Sequence, residues 1–146
     1  MMPPVVANAI ITSGNTINFI DDVDWIGHSY MLYQFDDYKI IDSAQKLERN
    51  QFQNECNPED LMIFSFYPTK NLGAYGDGGC VVTGNPEIAE NLRAIRNYGY
   101  QQRDYSVRLG LNSRLDPMQA AVLRTKLSHV DEWNRQRNAI ALRYAE

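Results

Sequence analysis

Cysteine and histidine are scarce: Cys56 and Cys80 stand alone, and His28 and His129 lie far from them and from each other. Without a C-x-x-C pair or a dense cysteine pattern, reduced thiols fit better than a disulfide framework, and a zinc site is disfavoured. Each cysteine reads as a small packing residue kept as a thiol, as in a cytoplasmic protein. Runs of Lys or Arg are missing and the formal net charge is -4, which disfavours nucleic acid and anionic lipid as partners. No stretch approaches the roughly 18 apolar residues of a membrane span. Met1 to Val6 lacks the basic region and apolar core of a secretory signal, so the expected location is the cytoplasm. Internal repeats and low-complexity linkers are absent as well. What is present is an ordinary globular composition, 44% hydrophobic and 22% charged over 146 residues, enough for one domain with a core.

Four short runs read as strands. Ile17–Ile20 follows a Ser13-Gly14-Asn15 turn signal, and Lys39–Asp42 ends in an acid. Leu61–Phe66 and Gly79–Thr83 complete the set. They are mostly apolar on both faces, as strands inside a covered sheet are. Asn85 and Pro86 predict a helix start, with Ile88, Leu92 and Ile95 on it and a stop near Gly99. Asp116 and Pro117 predict another, whose apolar residues Leu123, Leu127, Val130, Trp133 and Ile140 carry it to the end of the chain. Its apolar stripe has no partner of its own, which predicts a fragment, or a domain whose partner lies in another chain. Gln45 to Glu59 is polar and irregular and reads as a loop. The expected fold is α/β, a mostly parallel sheet with flanking helices, forming a single incomplete domain over residues 1–146.

The densest chemistry lies between Phe64 and Gly79. A buried strand delivers the hydroxyl of Ser65, turns at Pro68 and presents Thr69 and Lys70. Gly73, Gly76, Gly78 and Gly79 follow, so the backbone can turn sharply and approach a ligand closely. A lysine so placed suits covalent chemistry on a carbonyl. On these features alone a solvated surface lysine beside a glycine-rich turn remains open. The phosphate loop G-x-x-x-x-G-K-[ST] is absent, because Lys70 precedes the glycines.

Ser65-Phe66-Tyr67-Pro68-Thr69-Lys70-Asn71-Leu72-Gly73 resembles the cofactor-lysine motif of the DegT/StrS-type nucleotide-sugar aminotransferases, a branch of the fold-type I pyridoxal phosphate (PLP) enzymes. Ile40-Ile41-Asp42-Ser43-Ala44-Gln45 resembles the family's strand-end acid motif, and Gly110–Asp116 its later asparagine-containing loop. The likeness covers most of residues 39–146 and, more loosely, 3–24. It implies PLP as cofactor, with Lys70 forming the Schiff base and then moving a proton between carbons. Asp42 would face the pyridine nitrogen and keep it protonated, and that ring is the electron sink. By the same resemblance Gln45 lies near the ring, Ser65 donates to the phosphate, and Asn112 reaches the phosphate of a neighbouring subunit in a homodimer. For these last three, a surface glutamine, a strand serine and a plain turn stay open alternatives. The implied reaction moves an amino group from an amino acid, glutamate, to a nucleotide-linked keto sugar.

Some family features have no counterpart here. The glycine-and-hydroxyl turn that holds the PLP phosphate is missing upstream, as is the small domain downstream. Pro4–Ala9 and Phe19–Asp24 resemble an early strand pair, yet only Trp25 to Tyr38 separates them from the acid motif. That is too short for a crossover helix with its return strand, so the sheet is expected to lack a strand or to differ in order. A non-catalytic fragment or assembly module of the same fold is the competing reading. A dehydratase of the same branch ranks last, since that branch replaces the lysine with histidine. Tyr98, Tyr100 and Tyr105 surround a polar segment read as an exposed loop, and Tyr67 and Arg114 receive no role.

Overall fold

The computed structural model describes residues 4–17 and 27–145. Helix α1 (Pro4–Thr12) is followed by β1 (Tyr30–Gln34), β2 (Lys39–Asp42), helix α2 (Gln51–Glu55), β3 (Leu61–Ser65) and β4 (Gly79–Val82). Then come α3 (Pro86–Ile95), the strands β5 (Tyr100–Gln102) and β6 (Tyr105–Ser106), α4 (Pro117–Leu127) and α5 (Val130–Ala145). β1 to β4 form one sheet in that order, and β5 and β6 form a separate hairpin.

The fold is α/β with helices flanking a mixed sheet. Among the described residues only β2 and β3 run parallel; β1 pairs antiparallel with β2, and β4 antiparallel with β3. Connection length accounts for the departure from a mostly parallel sheet. Phe35 to Tyr38 can only reverse the chain, and the Phe35 amide closes that turn on the Tyr38 carbonyl at 2.9 Å. Parallel strands need a crossover of about a dozen residues or more, and residues 43–60 with α2 supply one between β2 and β3.

The strands expected at Lys39, Leu61 and Gly79 are present, and both proline-led helices begin where expected. Asn85 caps α3 by accepting from the amides of Glu87 and Ile88, and Asp116 caps α4 by accepting from those of Met118 and Gln119. Other expectations are corrected. Pro4–Ala9 is helical, and its turn signal closes α1: Gly14 adopts φ 81°, and the amides of Ser13 and Gly14 return to the Ala9 and Ile11 carbonyls. A short apolar run does not by itself separate helix from strand. Of the strand expected at Ile17–Ile20, residues 18–20 lie outside the described residues, as does the Phe19–Asp24 segment. The expected Gln45–Glu59 loop contains α2, and the expected 98–105 loop is an exposed hairpin turning at Arg103-Asp104. The long C-terminal helix is broken at Ser128, whose hydroxyl turns back to the Thr125 carbonyl, and Asp131 and Glu132 begin a new helix with acids in its first turn.

Two apolar clusters hold these parts together. Ile41, Met62 and Phe64 pack under the sheet with Phe52 and Val82, while Leu72, Ala74, Leu123 and Val130 pack between the post-β3 loop and α4–α5. Leu47 and Phe66 touch both clusters and join them. Cys56 packs against the first cluster as expected. Burial, followed by the nearby charges of Asp60 and Glu55, pushes its thiol up to about 11. Cys80 does not behave as a packing residue, because it is exposed on β4. Among the described residues no helix is long and apolar enough to cross a membrane.

Met62 is the large side chain most completely enclosed, with none of its surface exposed. Met62→Ala is expected to cost about 2–4 kcal/mol, read as a lower urea midpoint with an unchanged slope.

Candidate functional site at the strand ends

Because β2 and β3 are parallel, with Asp42 opposite Ile63, the carboxylate of Asp42 and the hydroxyl of Ser65 emerge at the same edge of the sheet. β4 starts at that edge too, with Gly79 opposite Ser65. The segment 66–78 therefore leaves and returns at one edge, carrying Lys70 on its tip. The carboxyl ends of parallel strands are where open α/β sheets ordinarily bind ligands.

The tip is tightly built. The Lys70 amide donates to the Tyr67 carbonyl at 2.9 Å, closing a turn with Pro68 in second place. At its base the Ala74 amide reaches the Phe66 carbonyl at 2.8 Å and the Phe66 amide the Gly78 carbonyl at 2.7 Å. A Cβ on Gly73 would lie 2.3 Å from the Pro68 carbonyl oxygen, so only glycine allows this approach. Helix α4 braces the segment from outside: Lys126 Nζ donates to the Gly73 carbonyl at 2.7 Å, and Gln119 accepts the Tyr75 amide at 2.8 Å. Asn134 of α5 ties the two strand-end loops together, donating to the Leu47 carbonyl at 2.6 Å and accepting from Asn71 at 3.5 Å.

Lys70 and Ser65 line one small cleft with Ala44 and Leu47. Its volume is about 10 Å³, room for a single water molecule. Lys70 Nζ has no acceptor among the described residues, and Asp42 uses one carboxylate oxygen, Oδ1, to accept the Ala44 amide at 2.8 Å. Ser65 Oγ accepts the Tyr67 amide at 3.3 Å. Gln45 is exposed beyond the end of β2, outside the cleft lining, where its carbonyl leaves no space for a Cβ on Gly27. Asn112 is exposed on another element, held by Arg114 and paired with Asn97. The structure brings Lys70, Asp42 and Ser65 to one edge of the sheet, with Lys70 and Ser65 lining the cleft and Asp42 and Asn112 outside its lining. The bracing residues Gln119, Lys126 and Asn134 escape sequence reasoning, since polar residues on amphipathic helices carry no signal of what they touch.

At the cleft wall, Lys46 meets Glu55 at 2.8 Å and Glu48 at 3.4 Å. The hydrogen bond it donates to Glu55 holds the Lys46 ammonium above its usual 10.5. Burial pushes the Glu55 carboxyl up, but the bond from Lys46 and its charge help bring it below the usual 4.5.

A parallel strand pair with an amine, a carboxylate and a hydroxyl at one edge defines an α/β protein with a candidate site at its strand ends. The chain belongs to the DegT/DnrJ/EryC1/StrS aminotransferase family, whose profile matches residues 11–146. It is 62% identical over 84 residues to the dTDP-3-amino-3,4,6-trideoxy-alpha-D-glucose transaminase of Streptomyces venezuelae, an overlap of 58% of this chain and 22% of that protein. It is 44% identical over 107 residues to a pleiotropic regulatory protein of Geobacillus stearothermophilus, covering 72% of this chain and 29% of that one. Among solved structures it resembles S. venezuelae DesV in complex with a ketimine intermediate, at 58% identity and a TM-score of 0.57, over 59% of this chain and 23% of DesV. A putative PLP-dependent aminotransferase from Bacillus cereus matches with a TM-score of 0.64 at 22% identity, over 73% of this chain and 29% of that one, a likeness of fold. The chain spans less than a third of the length of these relatives.

Gly73→Ala is expected to open the Lys70 turn and cost about 1–3 kcal/mol. Gly76→Ala, which meets only the Gln119 side chain at 3.4 Å, should leave the melting temperature nearly unchanged; the two melts measured side by side check this.

The Lys46–Glu55 pair has its own pH signature. The lowered carboxyl contributes stability above about pH 4.5 that is lost as pH falls through its folded value. The raised ammonium contributes below about pH 10.5 and is lost as pH rises through its own. Both groups keep some solvent contact, so Glu55→Gln should cost under about 1 kcal/mol at pH 7. In denaturant titrations the difference from the unmodified chain should shrink as pH falls below 4.5 and through the folded value of the carboxyl.

Proposed function

We propose that this chain carries the cofactor-lysine part of a nucleotide-sugar aminotransferase, as one incomplete PLP-binding large-domain unit spanning residues 1–146. The reaction moves an amino group from an amino acid, glutamate, to a keto sugar attached to a nucleotide. The observation that carries this reading is the amine of Lys70, without an acceptor among the described residues, at the strand edge shared by Asp42 and Ser65. Relatives named as transaminases of dTDP- and UDP-linked sugars support the substrate class.

The residues present fit PLP by their chemistry: an amine, a carboxylate with one oxygen free of hydrogen bonds among the described residues, and a hydroxyl. When bound, PLP supplies a carbonyl for an amine and a protonated ring that withdraws electrons from the reacting carbon. Lys70 Nζ would hold the cofactor covalently and, once the incoming amine has displaced it, would be the free base that carries a proton from the substrate carbon. Asp42 would favour the protonated pyridine nitrogen by its opposite charge. Ser65 Oγ would donate to the phosphate, Gln45 would stand by the ring, and Asn112 would donate to the phosphate in the neighbouring subunit of a homodimer. The two free thiols fit a cytoplasmic setting.

A second reading, an assembly module without catalysis, draws on the small size of the cleft.

Titration of the chain with PLP is expected to give a visible absorbance band that borohydride bleaches, leaving an adduct on the Lys70 peptide by mass spectrometry. Lys70→Ala should lack both. A folded chain with neither band nor adduct would sink the catalytic reading and leave the assembly module.

A further inference from the structure

A second cluster of polar side chains forms where residues 109–114 cross the end of α3. The amides of Leu111 and Ser113 donate to the carbonyls of Ile95 and Arg96 at 2.9 Å each, and the Tyr98 amide returns to the Leu111 carbonyl at 3.0 Å. These bonds satisfy carbonyls that a helix end otherwise leaves unpaired. They also set Asn97 opposite Asn112 in an isolated antiparallel bridge.

Arg114 then reaches back across both. Its Nε donates to Asn112 Oδ1 at 3.1 Å and its Nη1 to Asn97 Oδ1 at 3.1 Å, while its guanidinium carbon lies 5.6 Å from the centre of the Tyr98 ring. A guanidinium carries donors only. Both amides must therefore turn their oxygens toward it, which fixes the direction of their nitrogens. Among the described residues neither Asn97 Nδ2 nor Asn112 Nδ2 has an acceptor. The result is an array of amide donors beside a positive charge, with both amide oxygens already engaged. Such an array suits an oxyanion of the phosphate class.

We propose that Arg114 is a positioning residue: it locks the Asn97 and Asn112 amides with their nitrogens outward, so that the pair receives a phosphate oxyanion. This rests on the reading that Asn112 meets the cofactor phosphate, and adds Asn97 as a second donor and Arg114 as the residue that orients both. Without Arg114 each amide is free to flip and present an oxygen, which repels the anion.

The test is a titration of the isotope-labelled chain with inorganic phosphate, followed by NMR at the side-chain amides. The Asn97 and Asn112 amide signals are expected to move together and saturate. Arg114→Lys keeps the charge but lacks the planar fork that holds two oxygens at once, and should weaken phosphate by about tenfold. Asn112→Asp keeps an acceptor for Arg114, and hence the loop, but removes the donor; the Asn97 response should weaken by a similar factor. The proposal is overturned if Arg114→Lys titrates like the unmodified chain, or if phosphate moves other signals and leaves these two amides unchanged. Cofactor uptake at Lys70, measured in parallel, separates the two readings. Uptake without a phosphate response at the amides defeats the Arg114 assignment alone; a response without uptake defeats the cofactor reading alone.

Discussion

In the parallel pairing of β2 with β3, both strands run toward the same edge, so Asp42 and Ser65 surface together. Reversing either strand would put the acid and the lysine turn at opposite edges, and no side-chain movement could bring them back. The pairing is pinned at both ends. At one, the buried carboxylate of Asp60 accepts the amides of Lys39 and Asn57 at 2.8 Å each. At the other, the Ser43 amide extends the ladder to the Ile63 carbonyl at 2.8 Å, and its buried hydroxyl is shared among Ser29, Gln51 and the Lys46 carbonyl. Buried polar groups cost free energy unless they are bonded, so this network tolerates little change of register.

Holding the edge is not enough; the lysine turn has to be stiff. Loops owe their mobility to sparse contacts, and here the contacts are dense. Leu72 and Ala74 bury against Leu123 and Val130, and Gly73 presses onto Pro68. The Lys126 ammonium takes the Gly73 carbonyl and also lies 4.9 Å from the centre of the Tyr75 ring. That charge-assisted bond is half-buried and outweighs the exposed Arg49–Asp131 contact, which water and salt weaken. The catalytic proposal therefore leans on α4 as much as on the strand that bears Ser65.

What could be read from the sequence follows from how local the signals are. The Lys39, Leu61 and Gly79 strands, the Asn85 and Asp116 caps, and the motif order around Lys70 are set by neighbours in the chain, and they were legible. Partners set the rest. The Pro4 run became a helix because nothing in an apolar stretch names its hydrogen-bond partner. The 25–38 gap was correctly too short for a crossover helix, yet its second half pairs as the antiparallel strand β1. The break at Ser128 was masked by an apolar spacing that continues across it. Family membership was legible too, because it rests on motifs and not on contacts.

Asn112 and its companions Asn97 and Arg114 do not line the cleft that Lys70 and Ser65 share. In the proposed homodimer these donors would reach the phosphate from a second copy. Next to the asparagine lie Leu109, 98% exposed, and Leu111, 74% exposed. Large apolar side chains left this open, next to an oriented array of donors, would suit the interface of the proposed homodimer: an apolar surface to exclude water and a polar element to be recognised. The proposed homodimer would cover the leucines in the same step that brings the amides to the phosphate. Water exclusion then strengthens each donor–anion bond. On this account the exposed leucines and the inward-turned amide oxygens are two consequences of one arrangement, in which association completes the site.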